Sequence, residues 1–475
     1  MPPRASLKTF LATARAALTA PPSKRPTPLT FVVGNESADL DSLCSALLLA
    51  YFHTYAPPKR QSSIGDGSAA ELTSTLHIPV CHLHRADLAL RPEFTAVLHD
   101  AGVRGEDMFT LEDVLPREHQ EASEETSTSI NPEDTRWLLV DHNAMAGALA
   151  NAFTSQVIGC VDHHADEGVI PRDADIRVIE KSGSCASLVL ERCADGWEAL
   201  SGLSPPQNRN GTRNTSEGEE VLEGAKIDAQ LARLALAPIL IDTTNLTDGS
   251  KTTAHDEVAV AIAEAKIAVY SRLTRTGGER AGVEVQEVKE EYDRTALFTR
   301  LSALKEDIAE MSFRDVFRKD YKEWGVGGLN LGTSSVPQGF QYLVERKAGG
   351  DVAAFISELQ SWGAEKDAAA ARGQSQQRER MDLIVLLTTF QDGEGRFSRE
   401  LLVWARSEAG VRAARLFEDR CRDKLGLETW GDGVLDSARD AEGESEWRRC
   451  WVQRAVEHSR KQIAPMLRDA LKEVS

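Results

Sequence analysis

The sequence has no paired-cysteine motif: its seven cysteines, at 44, 81, 160, 185, 193, 421 and 450, form no CxxC. An odd, scattered set argues against a disulfide framework and points to a reducing compartment. Cys44, Cys160 and Cys185 stand among apolar or small neighbours and read as buried small hydrophobes. Long hydrophobic runs are missing too, and nothing approaches the ~18 apolar residues of a membrane span. Positive charge is in deficit, with 55 Lys and Arg against 74 Asp and Glu and a net charge of −19. That balance disfavours a general nucleic-acid binder held by phosphate neutralisation. A polyanion can still bind, provided cations and metals are gathered in one cleft. No internal repeat is present. Acids are absent from the first 35 residues, which carry Arg4, Lys8, Arg15, Lys24 and Arg25 and superficially look like a transit peptide. Leu7, Phe10, Leu11 and Ala14 equally fit a short amphipathic helix packed on the domain. The expectation is a cytosolic protein in which that helix is structural, with a mitochondrial fraction as the alternative.

A chain of 475 residues is too long for one core, so two domains are expected. Thr30-Phe-Val-Val-Gly34 reads as a buried strand and Asp41 to Tyr55 as the helix after it, unbroken until Pro57-Pro58. Further strands are expected at 137–140, 157–161 and 176–179. Strands alternating with helices indicate an α/β layer with a parallel sheet. The polar stretches 57–75, 117–134, 204–220 and 365–380 read as surface insertions. Residues 273–292 mark a linker between a first domain, 1–272, and a second, 293–475. In the second, Leu301 to Lys322 reads as helix, 326–333, 340–345, 383–390 and 401–404 as strands, and about 448–472 as a closing helix.

Four segments set Asp or His just past an apolar run: Asn35-Glu-Ser-Ala-Asp39-Leu-Asp41-Ser42, Leu138-Leu-Val-Asp141-His142-Asn143, Val161-Asp162-His163-His164 and Leu240-Ile-Asp242-Thr243. A parallel sheet delivers such side chains to its carboxyl edge. Oxygen and imidazole donors without thiolates suit Mg²⁺, Mn²⁺ or Co²⁺ better than a structural zinc. Asp39 and Asp41 can each face a different cation, and a cap on the helix it precedes is the equal alternative for Asp41. A carboxylate at Asp141 can bridge two ions at the ~3.5–4 Å of two-metal hydrolases. Of His163 and His164, one is expected to be a ligand and the other to point at substrate, with Asp162 fixing a tautomer. Ser182-Gly-Ser-Cys-Ala-Ser187 opens a helix and offers N–H groups to an anion. Cys81-His82-Leu-His84 reads as the exposed face of a strand. Basic residues gather in the second domain at Arg318-Lys319, Ser398-Arg399 and His458-Ser-Arg460-Lys461-Gln462. A phosphate chain needs such cations beyond a metal pair.

Together these motifs resemble the DHH phosphoesterase superfamily. Within it the chain is similar to the fungal-type cytosolic exopolyphosphatases, cousins of family II inorganic pyrophosphatases and prune proteins. Arg85-Ala-Asp-Leu-Ala-Leu-Arg91, Lys319-Asp-Tyr-Lys322, Ser398-Arg-Glu-Leu401 and Ser459-Arg-Lys-Gln462 extend the likeness over nearly the whole chain. The resemblance implies an α/β fold of two domains: an N-terminal DHH domain with a mainly parallel sheet flanked by helices, a smaller C-terminal DHH-associated domain, and an active site in the cleft between. It implies two divalent ions, Mg²⁺, Mn²⁺ or Co²⁺, with Asp39 on one, Asp41, His163 and Asp242 on the other, and Asp141 bridging both. His164 would meet the terminal phosphate or leaving oxygen, making it and Asp141 the catalytic pair. Arg399, Arg460 and Lys461 would hold the chain, with Lys305 and Lys251 as weaker candidates. The expected activity is release of terminal orthophosphate from inorganic polyphosphate by a monomer. The alternatives are a pyrophosphatase, a prune-like hydrolase of short polyphosphates and nucleotides, and an inert protein-binding scaffold. Asn35 stands where pyrophosphatases of the superfamily carry His, and Lys461 runs directly into Gln462. The resemblance to fungal-type exopolyphosphatases includes Asn at that position, which tilts the expectation toward longer chains, and one lysine of the pyrophosphatase signature is absent.

Overall fold

The computed structural model describes residues 5–55, 75–115, 130–201, 215–281, 292–371, 380–437 and 446–475. The chain forms two compact units, Met1–Leu304 and Lys305–Ser475.

In the first unit α1 (Leu7–Leu18) is followed by β1 (Leu29–Val33), α2 (Leu40–Tyr55), β2 (His77–Val80), α3 (Pro92–Asp100) and α4 (Leu111–Val114). Then come β3 (Thr135–Val140), α5 (Gly147–Phe153), β4 (Val157–Asp162), β5 (Ile176–Ile179), α6 (Cys185–Ser201), α7 (Thr215–Asp242), α8 (Ala254–Ala281) and α9 (Arg294–Glu306). The sheet runs in the order β2-β1-β3-β4-β5, and every neighbouring pair is parallel. The carboxyl ends of β1, β3 and β4 therefore lie side by side. Burial of every residue of β1, and of β3 save one, fits a parallel sheet covered on both faces. Phe31 stacks on Trp137 at 4.6 Å in that core. The amphipathic α1 buries Leu7, Phe10, Leu11, Ala14 and Leu18 in the same core. Its Arg15 pairs with Asp113 and lies 4.0 Å over the Phe109 ring, so that basic residue of the N-terminal stretch serves packing.

One expectation changes here. The run before Asp242 is helix, not strand: α7 ends at Asp242 and contains Pro238. Leu231, Leu234, Leu236, Ile239 and Leu240 are all buried, and a helix buried all round leaves no polar face to reveal its period. The two compact units divide between Leu304 and Lys305, within the last turn of α9, whereas the linker was expected at 273–292. Leu301 belongs to the first core with Leu297 and Phe298 packed against it, and 273–281 is the end of α8. Residues 282–291 lie outside the described residues.

The second unit contains α10 (Phe313–Lys319), β6 (Tyr321–Val326), β7 (Leu329–Val336), a π-helix (Tyr342–Lys347), α11 (Val352–Ala371) and β8 (Leu383–Thr388). β9 (Phe390–Gln391), β10 (Phe397–Ala405), α12 (Glu408–Leu425), β11 (Leu427–Thr429), β12 (Trp447–Gln453) and α13 (Arg460–Val474) complete it. Its sheet runs β11-β12-β10-β8-β7-β6, with β9 on β10. β7 and β8 are parallel, while β6–β7 and the pairs around β10 and β12 are antiparallel. The expected strand at 340–345 lies mostly in the π-helix. The expected closing helix is split, because Trp447 to Gln453 pairs with β10 before α13 begins. Residues 365–371, expected in an insertion, continue α11.

Candidate metal centre

Gly34 leads from β1 into the loop before α2, and a Cβ there would sit 2.5 Å from Ser42 Cβ. Ala38 takes a left-handed backbone with φ 45. The buried Arg91 secures this loop by donating to the carbonyls of Ser37 at 2.7 Å and Ala38 at 2.9 Å. Asp39 is exposed and caps α2, its Oδ1 accepting from Ser42 N at 3.0 Å. Asp41, which could equally have been the cap, instead reaches the start of α6. Its Oδ2 accepts from Cys185 N at 2.6 Å, and its Oδ1 from Ala186 N at 2.9 Å and Ser184 Oγ at 2.8 Å. The anion that this helix N-terminus holds is a carboxylate of the protein itself.

Asp141 directly follows β3, with φ 62, and is 3% exposed. Its Oδ2 accepts from Ser42 Oγ at 2.6 Å and from Asn35 Nδ2 at 2.8 Å. The other end of the Asn35 amide accepts from Ser37 N at 2.9 Å. Asn35 therefore orients Asp141.

His163 follows β4. Its Nδ1 faces the Ser182 carbonyl at 3.0 Å and so carries a hydrogen. The opposite nitrogen, Nε2, lies 3.1 Å from Asp141 Oδ1 and 4.0 Å from Asp41 Oδ2. Either that nitrogen is protonated as well, or its lone pair and the carboxylates converge on a cation. Ligand atoms of Asp141, His163 and His164 all lie within 4.8 Å of one another. Two buried carboxylates and an oriented imidazole, without sulfur, fit a divalent ion. His164 Nδ1 is engaged by Asp162 Oδ1 at 2.8 Å, which leaves Nε2 for other chemistry. Asp162 also accepts from Asn143 Nδ2 at 2.6 Å.

Burial lifts the Asp41 carboxyl to about 6, and the charge of Asp141 acts in the same direction. Burial also raises Asp141, but the hydrogen bond and charge of His163 outweigh it and bring the group to about 2. Burial lifts the Cys44 thiol well above its ordinary value, and Asp41, Asp39 and Asp242 all add to the effect. Asp242 closes α7, and its neighbour Thr243 packs against Gly183 in the turn before α6.

The remaining candidates sit elsewhere. Lys251 Nζ pairs with Asp248 at 3.3 Å. Lys305 is half-buried near the end of α9, beside Glu306. In the second unit, Arg399 donates through Nε to Val456 O at 2.7 Å and through Nη1 to Thr389 Oγ1 at 2.7 Å. Arg460 pairs with Asp320 at 2.8 Å, joining Lys319-Asp-Tyr-Lys322 to the start of α13. Lys461 is exposed beside the helix cap Ser459. His82 is not on an exposed strand face: β2 stops at Val80, and the buried His82 places Nδ1 3.2 Å from Gly34 O. Neither Arg91 as a loop brace nor Asp256, buried at the start of α8, is legible in the sequence. Thr253-x-x-Asp256 is readable only as a helix start.

The family model "DHH family, N-terminal domain" matches residues 30–236, and the "DHHA2 domain" model matches 299–470. A Schizosaccharomyces pombe protein named "Putative exopolyphosphatase" is 27% identical over 94% of this chain and 92% of its own length. "Exopolyphosphatase PRUNE1" of Rattus norvegicus is 26% identical over 48% of this chain, and that of Homo sapiens 23% identical over 67%. The chain spans only 42% and 54% of those two proteins. The crystal structure titled "Methanococcus jannaschii putative family II inorganic pyrophosphatase" aligns with a TM-score of 0.47 and 18% identity, over 93% of this chain and 99% of that one. With the strand-end acids and the Asp-His-His segment at the edge of a parallel sheet, and both domain models matched in order, the chain belongs to the DHH family, as a DHH domain followed by a DHHA2 domain.

Proposed function

We propose that this protein is an exopolyphosphatase, a metal-dependent hydrolase that frees terminal orthophosphate from inorganic polyphosphate. The observation that carries the reading is the approach of His163 Nε2 to Asp141 Oδ1 at 3.1 Å and to Asp41 Oδ2 at 4.0 Å. A relative described as an exopolyphosphatase along 94% of the chain supports the choice of substrate. Asp41, Asp141, His163 and Asp242 would hold one divalent ion, and Asp39 with Asp141 a second. Bound there, such ions would supply charge neutralisation and an activated nucleophile for attack on phosphorus.

The chain's own residues do the rest. Asn35 and Ser42 hold Asp141 in place, and Ser182 sets the tautomer of His163. With Nδ1–H donating to Asp162, His164 acts as the imidazolium, giving its Nε2 proton to the bridging oxygen of the leaving chain and regaining one from solvent afterwards. A water oxygen then joins the terminal phosphorus as that bridging bond breaks, and the departing chain leaves with the proton. Arg399, Arg460 and Lys461 hold the phosphates that follow, with Lys305 and Lys251 in lesser roles. A cytosolic setting belongs to this reading, and the seven unpaired, buried cysteines support it.

The test is phosphate release from pyrophosphate, tripolyphosphate and long polyphosphate with Mg²⁺, Mn²⁺ or Co²⁺. Preference for long chains is expected. Preference for pyrophosphate would reassign the protein as a pyrophosphatase, and no release with any cation would leave only a scaffold.

A further inference from the structure

We infer that Asp256 is a positioning residue that shapes the metal centre from behind, through the turn between β5 and α6. The inference rests on the metal-binding reading above. Asp256 is fully buried, and each of its oxygens takes three hydrogen bonds. Oδ1 accepts from Ser182 Oγ at 3.0 Å, Ser184 N at 3.2 Å and Ser187 Oγ at 2.7 Å. Oδ2 accepts from Gly183 N at 2.9 Å and from both the N–H and the hydroxyl of Thr253 at 2.8 Å.

The opposite side of the same turn serves the site. Ser182 O fixes His163 Nδ1, while Ser184 Oγ, Cys185 N and Ala186 N hold Asp41. One buried carboxylate thus organises the donors that place a second carboxylate and the acceptor that sets the imidazole. Gly183 permits this closeness, since a Cβ there would lie 2.8 Å from Asp256 Oδ2 and 2.6 Å from Thr243 Cγ2. Turning the acid into an amide would set an NH₂ group against N–H or O–H donors now satisfied by an oxygen. The turn would then shift, and Asp41 and His163 with it.

Asp256→Asn and Thr253→Val test this. Thr253→Val removes one hydroxyl donor and leaves the backbone bond. Mn²⁺ binding to the folded full chain is measured by calorimetry and by the electron-spin resonance of the bound ion, with no phosphate substrate present. Asp256→Asn is expected to weaken Mn²⁺ binding about 10-fold or more and to change the resonance. Thr253→Val is expected to weaken it less, in the same direction, and carries the test if Asp256→Asn does not fold. Binding within about twofold of wild type, in a variant that folds but melts earlier, would show a purely structural role and overturn the inference. A wild type that binds no Mn²⁺ would overturn the metal-binding reading itself, and the inference with it.

Discussion

Ser42 Oγ donates to Asp141 Oδ2 across 2.6 Å, tying the first turn of α2 to the end of β3. Ser42→Ala removes a buried, charge-assisted donor while leaving Asp141 charged. The expected cost is about 1.5–3 kcal/mol of stability, with a fall in phosphate release. Urea unfolding and initial rates check both, and unchanged values in each would show that the bond does nothing.

Gly34→Ala acts on the same junction by sterics. Its Cβ would stand 2.5 Å from Ser42 Cβ and 2.9 Å from Ser42 Cα. The start of α2 must move, at an expected cost of about 1–3 kcal/mol. Thermal melting measures the loss, and Mn²⁺ affinity should fall with it because Asp41 travels with the helix.

Asp141→Asn separates charge from conformation. Asn accepts the left-handed backbone found at this position, φ 62, so the fold should persist. Phosphate release should drop by more than the roughly 10–100-fold typical of losing an outer partner of a metal ligand. Retained turnover in a folded variant would remove Asp141 from the centre of the mechanism.

Lys461 tests substrate holding without disturbing the core. It is exposed at the start of α13, so Lys461→Ala should change stability by no more than about 0.5 kcal/mol. KM for long polyphosphate should rise several-fold, and more at low salt than at high. A KM that stays put for every chain length would return Lys461 to the ordinary solvated surface.

His53 gives a pH dependence away from the site. Burial, and then the nearby His77, lower its value from 6.5 to about 3. The unfolded chain therefore binds the extra proton between those two values. The contribution to stability is whole above pH 6.5 and is lost progressively as pH falls toward 3. His53→Phe should flatten the slope of stability against pH in that window. His77, whose value is also low at about 4, leaves part of the slope in place. Identical slopes for wild type and variant would count against a neutral buried His53.

What could be read in the sequence divides along physical lines. Asp141 and His163 were legible because each closes an apolar strand, and neighbouring parallel strands bring such ends together without further information. Asp242 was legible as an acid but not as a helix end. A run buried on every side carries no period, and Pro238 did not break the helix. The strand at Trp447–Gln453 was hidden by the helix that follows it, and only its pairing with β10 separates the two. Arg91 and Asp256 were invisible for another reason: Arg91 acts on backbone carbonyls of a distant loop, and Asp256 divides its bonds between backbone N–H groups and Ser or Thr hydroxyls, whose partners no sequence spacing reveals. Asn35 was noticed for what it replaces, whereas its position shows what it does, which is to brace Asp141.

The reach of Asp256 sets the order in which the centre can be completed during synthesis. When Ser201 has left the ribosome, both carboxylates and both imidazoles of the cluster have already been made. The acid that fixes the turn between them still lies more than fifty residues ahead. Contacts of such separation form late, so a nascent chain halted before α8 would expose the two histidines without the turn that aims them.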